Sequence, residues 1–197
     1  MNLHKNNSEF WGELCGTGLF KNLGLNGINE VSLKIFDDAY FKMYPYLRDK
    51  YLNQIDMSSD VLEIGLGFGT VGNYLFDKCR NYTGIDISSG PVYMMKKRIE
   101  YRKKSINCNS EIGNAEKLTF TDNSFDVVIS IGCLHHSGKL EKSIKEVYRI
   151  LKPNGKFILM IYRKPTIFMI FQKYLMLLKK DYKKLVEYKF NKNKIFK

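Results

Sequence analysis

The stretch VLEIGLGFGT, residues 61–70, decides how this chain folds, and it can be read in two registers. Gly67, Gly69 and Gly72 spell G-x-G-x-x-G, the pattern of a dinucleotide loop. Glu63, Gly65, Gly67 and Gly69 spell E-x-G-x-G-x-G, which suits a different nucleotide-like ligand. In both, a short apolar run opens into glycines, as a buried strand does when it feeds a turn that approaches a ligand closely. Glu63 separates them. A dinucleotide strand runs apolar up to its first glycine; were that Gly67, Glu63 would sit inside a buried strand with no evident partner, a costly placement. If the loop starts at Gly65, the strand ends at Glu63 or Ile64. The acid then stands at the carboxyl edge of a sheet, where it can orient the loop and meet a cationic ligand, and Gly72 becomes a residue that packs helix on sheet.

Outward from this stretch, strands and helices alternate. TVGNYLFDKC has helical spacing, with Val71, Leu75 and Phe76 on one face. YTGIDI is a second strand and ends in Asp86, from which a carboxylate can hold the two hydroxyls of an adenosine ribose. Capping the next helix is the competing reading of Asp86. PVYMMKKRIEYRKK is that helix, with Ser88 or Ser89 as N-cap and Pro91 in its first turn. Ser110 to Ile112 is a weaker third strand, FDVVISIG a fourth and KFILMIY a fifth. LEKSIKEVYRIL is an amphipathic helix with Leu140, Ile144, Val147, Ile150 and Leu151 on one side, and KPNG stops it. Apolar strands joined by short crossovers predict an α/β fold with a doubly wound, mostly parallel sheet. The division expected is a helical N-terminal lid over 1–50, with SLKIFDDAYFKMYPYL as its main helix, a nucleotide-binding domain over 51–164, and a basic C-terminal helix or tail over 165–197.

Composition limits the remaining readings. The 197 residues are enough for one domain with a sizeable core, at 44% hydrophobic and 26% charged. The four cysteines, Cys15, Cys79, Cys108 and Cys133, include no C-x-x-C pair and read as reduced thiols. MNLHKNNSEF lacks the apolar core of a signal peptide, so a cytoplasmic location is expected. The longest apolar run, Ile167 to Leu178, is interrupted by Gln172 and Lys173 and is too short to span a bilayer. The net charge of +12 is unevenly spread: from Lys152 onward thirteen basic residues face two acidic ones, whereas residues 1–151 hold nineteen basic and eighteen acidic. A basic tail can touch RNA, anionic lipid or an acidic partner, and a solvated helix face accounts equally for the same lysines.

Five motifs in order resemble the class I S-adenosylmethionine-dependent methyltransferases, in particular the group called type 11. VLEIGLGFGT resembles their glycine motif and GIDIS their ribose motif. GNAEKLTFTDNSFDVVISIGCLHHS resembles their adenine loop, fourth strand and following loop, and EVYRILKPNGKFILMIYR the helix and fifth strand after it. The resemblance covers about Asp60 to Arg163 and implies S-adenosyl-L-methionine as cofactor. It implies that Glu63, Ile64, Gly65, Gly67 and Gly69 form the loop, that Asp86 and Ile87 lie at the ribose, that Asn114, Ala115 and Glu116 flank the adenine, and that Ser130, Ile131 and Gly132 face the methionine part. FWGELCGTGLF is similar to a segment preceding the domain in some members.

Methyl transfer from a sulfonium needs alignment and a dry site, and a general base only where the acceptor is protonated. His135 and His136 in CLHHS are the candidate base; neighbours on a loop point in different directions, so at most one faces the acceptor, and a structural role for both stays open. Adjacent histidines without a third ligand do not make a metal site. The Asn/Asp-Pro-Pro-Tyr/Phe stretch of nucleobase and glutamine methyltransferases is replaced by SIGCLHH, which points to a small-molecule, lipid or carbohydrate-like acceptor. The alternatives are a non-catalytic cofactor-binding remnant or scaffold and an RNA-associated methyltransferase using the basic tail; a nicotinamide dehydrogenase is more remote. After Tyr162 the family's terminal antiparallel strands have no counterpart in the sequence pattern. The expectation is therefore a sheet truncated after the fifth strand plus a helix, IFMIFQKYLMLLKKDYKKLVEY. Its edge would be open to a second copy in a homodimer, and its apolar run to ordinary packing on the sheet or a peripheral membrane contact.

Overall fold

The computed structural model describes residues 17–104 and 107–161. Helix α1 spans Thr17–Asn22 and α2 spans Glu30–Met43. The second begins two residues ahead of the predicted start because Asn29 caps it: the Ser32 backbone N–H donates to Asn29 Oδ1 at 2.9 Å, and the Asn29 N–H donates to Ser32 Oγ at 3.0 Å. It stops at Tyr44, which leaves helical geometry ahead of Pro45. A π-helical turn, Leu47–Tyr51, and a 3-10 turn, Leu52–Gln54, then bury Leu47 and Leu52 and lead into the sheet.

Strands β1 (Asp60–Ile64), β2 (Asn81–Asp86), β3 (Cys108–Ile112), β4 (Phe125–Ile131) and β5 (Leu151–Met160) form one sheet in the order β3-β2-β1-β4-β5. Every pairing is parallel. Helices α3 (Thr70–Leu75), α4 (Ser89–Tyr101) and α5 (Leu140–Ile150) form three of the four crossovers, and β3 reaches β4 through residues 113–124 without a helix. Successive β1 residues serve opposite faces. Val61 joins a core with Phe41 of α2, Val71 and Leu75 of α3, and Met95 and Ile99 of α4. Leu62 and Ile64 join a second core with Val147 and Ile150 of α5. Two apolar faces demand two helical layers, which is the doubly wound architecture read from the sequence.

Several details depart from the expectation. Helix α3 ends at Leu75, although Phe76 and Cys79 remain buried on the same core. The third strand begins at Cys108, two residues early, because pairing with β2 from Tyr82↔Cys108 onward extends a segment too polar to stand out alone. On α5, Ile144 is 39% exposed and Ser143 is buried instead, its hydroxyl 3.2 Å from that of Ser137. Helix α5 ends at Ile150, and KPNG lies within β5, which begins at Leu151, five residues ahead of the predicted strand. Asn154 adopts a left-handed conformation (φ 65°), and the pairing of β5 with β4 shifts register there before resuming at Lys156. The proposed C-terminal helix, basic tail and missing hairpin all lie outside the described residues. No helix among the described residues is long and apolar enough to cross a membrane.

Strand order reverses between β1 and β4, and a cavity opens there beyond the carboxyl ends of β1, β2, β4 and β5. The opposite end of the sheet is tied by a polar cluster. Asp60 accepts from Arg80 and Asn81, and Lys152 reaches both Asp60, at 3.1 Å, and Asp126, at 2.8 Å.

Candidate active site

Glu63 lies inside β1, paired with Gly84 on one side and Ile129 on the other, and is 3% exposed. It has the partner that the sequence did not reveal. The Tyr82 hydroxyl donates to Glu63 Oε2 at 2.5 Å, and the Gly72 backbone N–H points to the same carboxyl. Tyr82 reaches it because Gly72 has no side chain: a Cβ there would stand 2.3 Å from the Tyr82 hydroxyl oxygen and 2.5 Å from Met95 Cε. Gly72 thus packs helix on sheet, a role it would have in either register. Burial pushes the Glu63 carboxyl up to about 8, the nearby Asp86 charge adds to this, and the Tyr82 and Gly72 hydrogen bonds oppose it.

The loop starts at Gly65, whose φ of 88° suits glycine and whose Cβ would overlap Cys133 Cβ at 2.3 Å. Its N–H donates to the Ile85 carbonyl at 2.8 Å, binding the loop to the end of β2. Asp86, 9% exposed, closes the other side: Oδ2 accepts from the Leu66 N–H and Oδ1 from the Ser88 N–H, both at 2.9 Å. Burial raises the Asp86 pKa while backbone donors from Ser88, Leu66, Ile87 and Gly67 pull it down. Ser88 takes the N-cap position of α4, but its side chain makes no cap hydrogen bond.

The cavity measures about 300 Å³, within the size range of small-ligand sites. Of the residues predicted for it, Glu63, Ile64, Gly65, Gly67, Asp86, Ile87, Asn114, Ala115, Ile131, Gly132 and His136 line it. Four others lie behind it. Gly69 caps α3. Ser130 is fully buried and donates to the Ile64 carbonyl at 3.1 Å, joining β4 to β1. Glu116 turns to accept the Lys139 N–H at 2.9 Å, ahead of α5. His135 sits against His136, ring centroids 3.9 Å apart. Burial and the neighbouring imidazole push His135 down to about 4, and burial lowers His136 as well, so both rings are neutral near pH 7. Among the described residues no group of three or more His, Cys, Asp or Glu side chains comes together to hold a metal.

Sequence reasoning missed the aromatic wall. Phe36 and Tyr40 of α2, Tyr44 just past its end and Phe68 of the loop cover the cavity, with Phe36 stacked on Phe68 at 4.6 Å. The spacing i, i+4, i+8 from Phe36 carried that signal, but helical periodicity cannot tell a ligand wall from a core. Arg149 was missed as well. Together with Glu146 it holds the Leu118–Asp122 segment, through the Phe120 and Leu118 carbonyls and the Leu118 N–H.

A nucleoside bearing a cationic amino-acid arm fits this arrangement. The glycine cradle leaves no room for a Cβ at Gly65, Asp86 stands at the end of β2 on the cavity wall, and Glu63 places a buried acid on the same wall. Comparison with known proteins agrees. Residues 62–159 match the methyltransferase domain family. The chain is 30% identical over 132 residues to the ubiquinone/menaquinone biosynthesis C-methyltransferase UbiE of Rickettsia bellii, covering 63% of this chain and 53% of that protein. It is 32% identical over 124 residues to the sterol 4-C-methyltransferase strm-1 of Caenorhabditis elegans, covering 62% of this chain and 36% of that one. The chain therefore spans about half the length, or less, of these curated relatives. In fold it is similar to a putative S-adenosylmethionine-dependent methyltransferase of Methanococcus maripaludis (TM-score 0.57, 20% identity, 81% of this chain and 79% of that one). The chain belongs to the class I S-adenosylmethionine-dependent methyltransferase family.

Proposed function

We propose that this protein binds S-adenosylmethionine and transfers its methyl group to an uncharged, largely apolar small molecule of lipid-like character. The observation that carries the reading is the two-sided cavity: Gly65, Gly67, Asp86 and Asn114 on the sheet side, and Phe36, Tyr40, Tyr44 and Phe68 on the other. Asp86 holds the ribose hydroxyls, Ile87, Asn114 and Ala115 border the adenine, and Ile131 and Gly132 lie along the methionine arm. Glu63 faces the positive charge of that arm. Gly69, Ser130 and Glu116 keep the loop, the two strands and the adenine segment in place. When bound, the cofactor supplies a methyl group already activated on a cationic sulfur. The chain's task is then alignment and exclusion of water, which the aromatic cover of α2 serves. Where the acceptor must lose a proton, His136, neutral and on the cavity wall, accepts it.

The acceptor class rests on charge. The protein carries 32 lysines and arginines, yet among the described residues none lines the cavity, so an anionic acceptor would find no lysine or arginine counter-ion there. Its relatives are named for ubiquinone and menaquinone, for sterols and for phosphoethanolamine, and the lack of a lining cation favours the first two kinds of acceptor over the last. Calorimetry with S-adenosylmethionine, S-adenosylhomocysteine and NAD, followed by an acceptor screen, tests this. Asp86→Ala is expected to weaken both sulfur nucleosides at least tenfold. His136→Asn is expected to lower turnover while leaving their affinity unchanged. Tight NAD binding without sulfur-nucleoside binding would overturn the reading.

A further inference from the structure

Behind the cavity, outside the predicted site, lies a buried ion pair linking four elements. Asp37 of α2 meets Arg98 of α4 through two bonds, Nη1 to Oδ2 and Nη2 to Oδ1, each 2.8 Å. The side chains are 12% and 3% exposed. The third guanidinium nitrogen, Nε, donates to the Phe68 carbonyl of the glycine loop at 2.6 Å. The carboxylate also accepts from Thr70 Oγ1 at 2.6 Å and Asn73 Nδ2 at 3.0 Å, both on α3. The Arg98 stem lies over Gly69, where the loop becomes α3.

From this we infer that Asp37 and Arg98 are positioning residues that couple the docking of α2 to the shape of the cofactor loop. Arg98 hydrogen-bonds the loop at the Phe68 carbonyl, and its planar fork is fixed in turn by Asp37. Asp37 sits on the helix whose Phe36 and Tyr40 cover the cavity, and Phe36 stacks on Phe68 beside the same carbonyl. Undocking α2 therefore removes the partner that aims Arg98, and a displaced loop strips Arg98 of its third acceptor. The acceptor-side wall and the cofactor loop then order together, and each ligand's binding favours the other's in equal measure. A purely structural pair predicts otherwise. Buried ion pairs contribute little to stability compared with well-packed apolar replacements, so a residue pair retained only for folding could be exchanged without effect on binding.

The inference rests on the proposed cofactor, and the test separates the two. Asp37→Asn keeps shape but weakens the fork, and Asp37→Leu/Arg98→Met removes both charges while keeping the volume filled. S-adenosylhomocysteine affinity is measured by calorimetry and melting temperature in parallel, with hydrogen exchange of the α2 amides as a readout independent of turnover. Both variants are expected to stay folded, bind the nucleoside at least tenfold more weakly and lose its protection of α2. Lys34→Ala, which breaks only the exposed Lys34–Asp38 pair on the same helix, is expected to match wild type. Wild-type affinity and wild-type protection in the folded double variant would overturn the coupling while leaving the cofactor assignment intact. Failure of wild type to bind the nucleoside at all would overturn both.

Discussion

Glu63 is legible in the sequence as an anomaly, an acid in an apolar strand, but its chemistry becomes clear only with its neighbours. Tyr82 lies nineteen positions away and reaches it across the β1–β2 pairing, a contact with no spacing signal. With its carboxyl pushed up to about 8, Glu63 is mostly protonated at neutral pH. A cationic ligand arm beside it favours the ionised form, so binding below pH 8 releases a proton. The sign follows: affinity for S-adenosylmethionine rises with pH up to about 8 and levels off above. In the limit of full coupling the rise is about tenfold per pH unit, or about 1.4 kcal/mol. Glu63→Gln, which can still accept the Tyr82 hydroxyl, is expected to flatten this dependence. Calorimetry at pH 6, 7 and 8 in buffers of differing ionisation enthalpy measures affinity and proton release together, and identical slopes in the two proteins would remove Glu63 from the cation's surroundings.

At the scale of elements, β1, β2 and β4 were readable because strands covered on both faces are apolar runs, and the glycines after β1 mark a ligand loop. What escaped reading depended on partners distant in sequence. The polar start of β3 becomes a strand by pairing with β2, and α5 turns Ser143 inward because Ser137 meets it there. The pair Asp37 and Arg98 lies 61 positions apart, and nothing local to either marks it as more than surface charge. The packing of α3 on β2 is the element most open to a direct test. Gly72→Ala places a methyl where the Tyr82 hydroxyl and Met95 now lie, and overpacking of this kind costs about 1–3 kcal/mol. Tyr82→Phe removes the obstructing oxygen but leaves Glu63 without its side-chain donor. The double variant Gly72→Ala/Tyr82→Phe is therefore expected to lose less stability than the two single losses added, because the second change makes room for the first. Strict additivity in denaturant unfolding would show that the helix shifts away instead.

Across the whole molecule, opposing groups shape the dependence of stability on pH. Glu63 binds its proton more tightly folded than unfolded, so its contribution is complete below its ordinary 4.5 and is lost as pH rises toward 8. Asp86, also raised, acts in the same direction from its ordinary 3.8 upward. The histidines act oppositely. His135 falls from 6.5 to about 4 on folding and His136 is lowered too, so the unfolded chain takes up protons first as pH drops below 6.5 and stability declines. At the far end of the sheet, Asp60 is held well below its ordinary 3.8 by Arg80, Asn81 and Lys152, and Asp126 is lowered by the Asp60 N–H and Lys152; both contribute above that value and are lost in acid. Between pH 4.5 and 6.5 the Glu63 and His135 slopes oppose each other, each on the order of 1.4 kcal/mol per pH unit at most. The ligand-free protein is therefore expected to show a plateau of melting temperature from about pH 4.5 to 6.5, with a fall on both sides. Glu63→Gln removes the alkaline fall and converts the plateau into a rise toward pH 6.5, because the histidine slope is then unopposed. Asp60→Asn, distant from the cavity, lowers the plateau and reduces the acid-side fall without changing S-adenosylhomocysteine affinity. A wild-type melting temperature that climbs steadily from pH 4.5 to 8 would contradict the assignment of a buried, protonated Glu63 at the centre of the sheet.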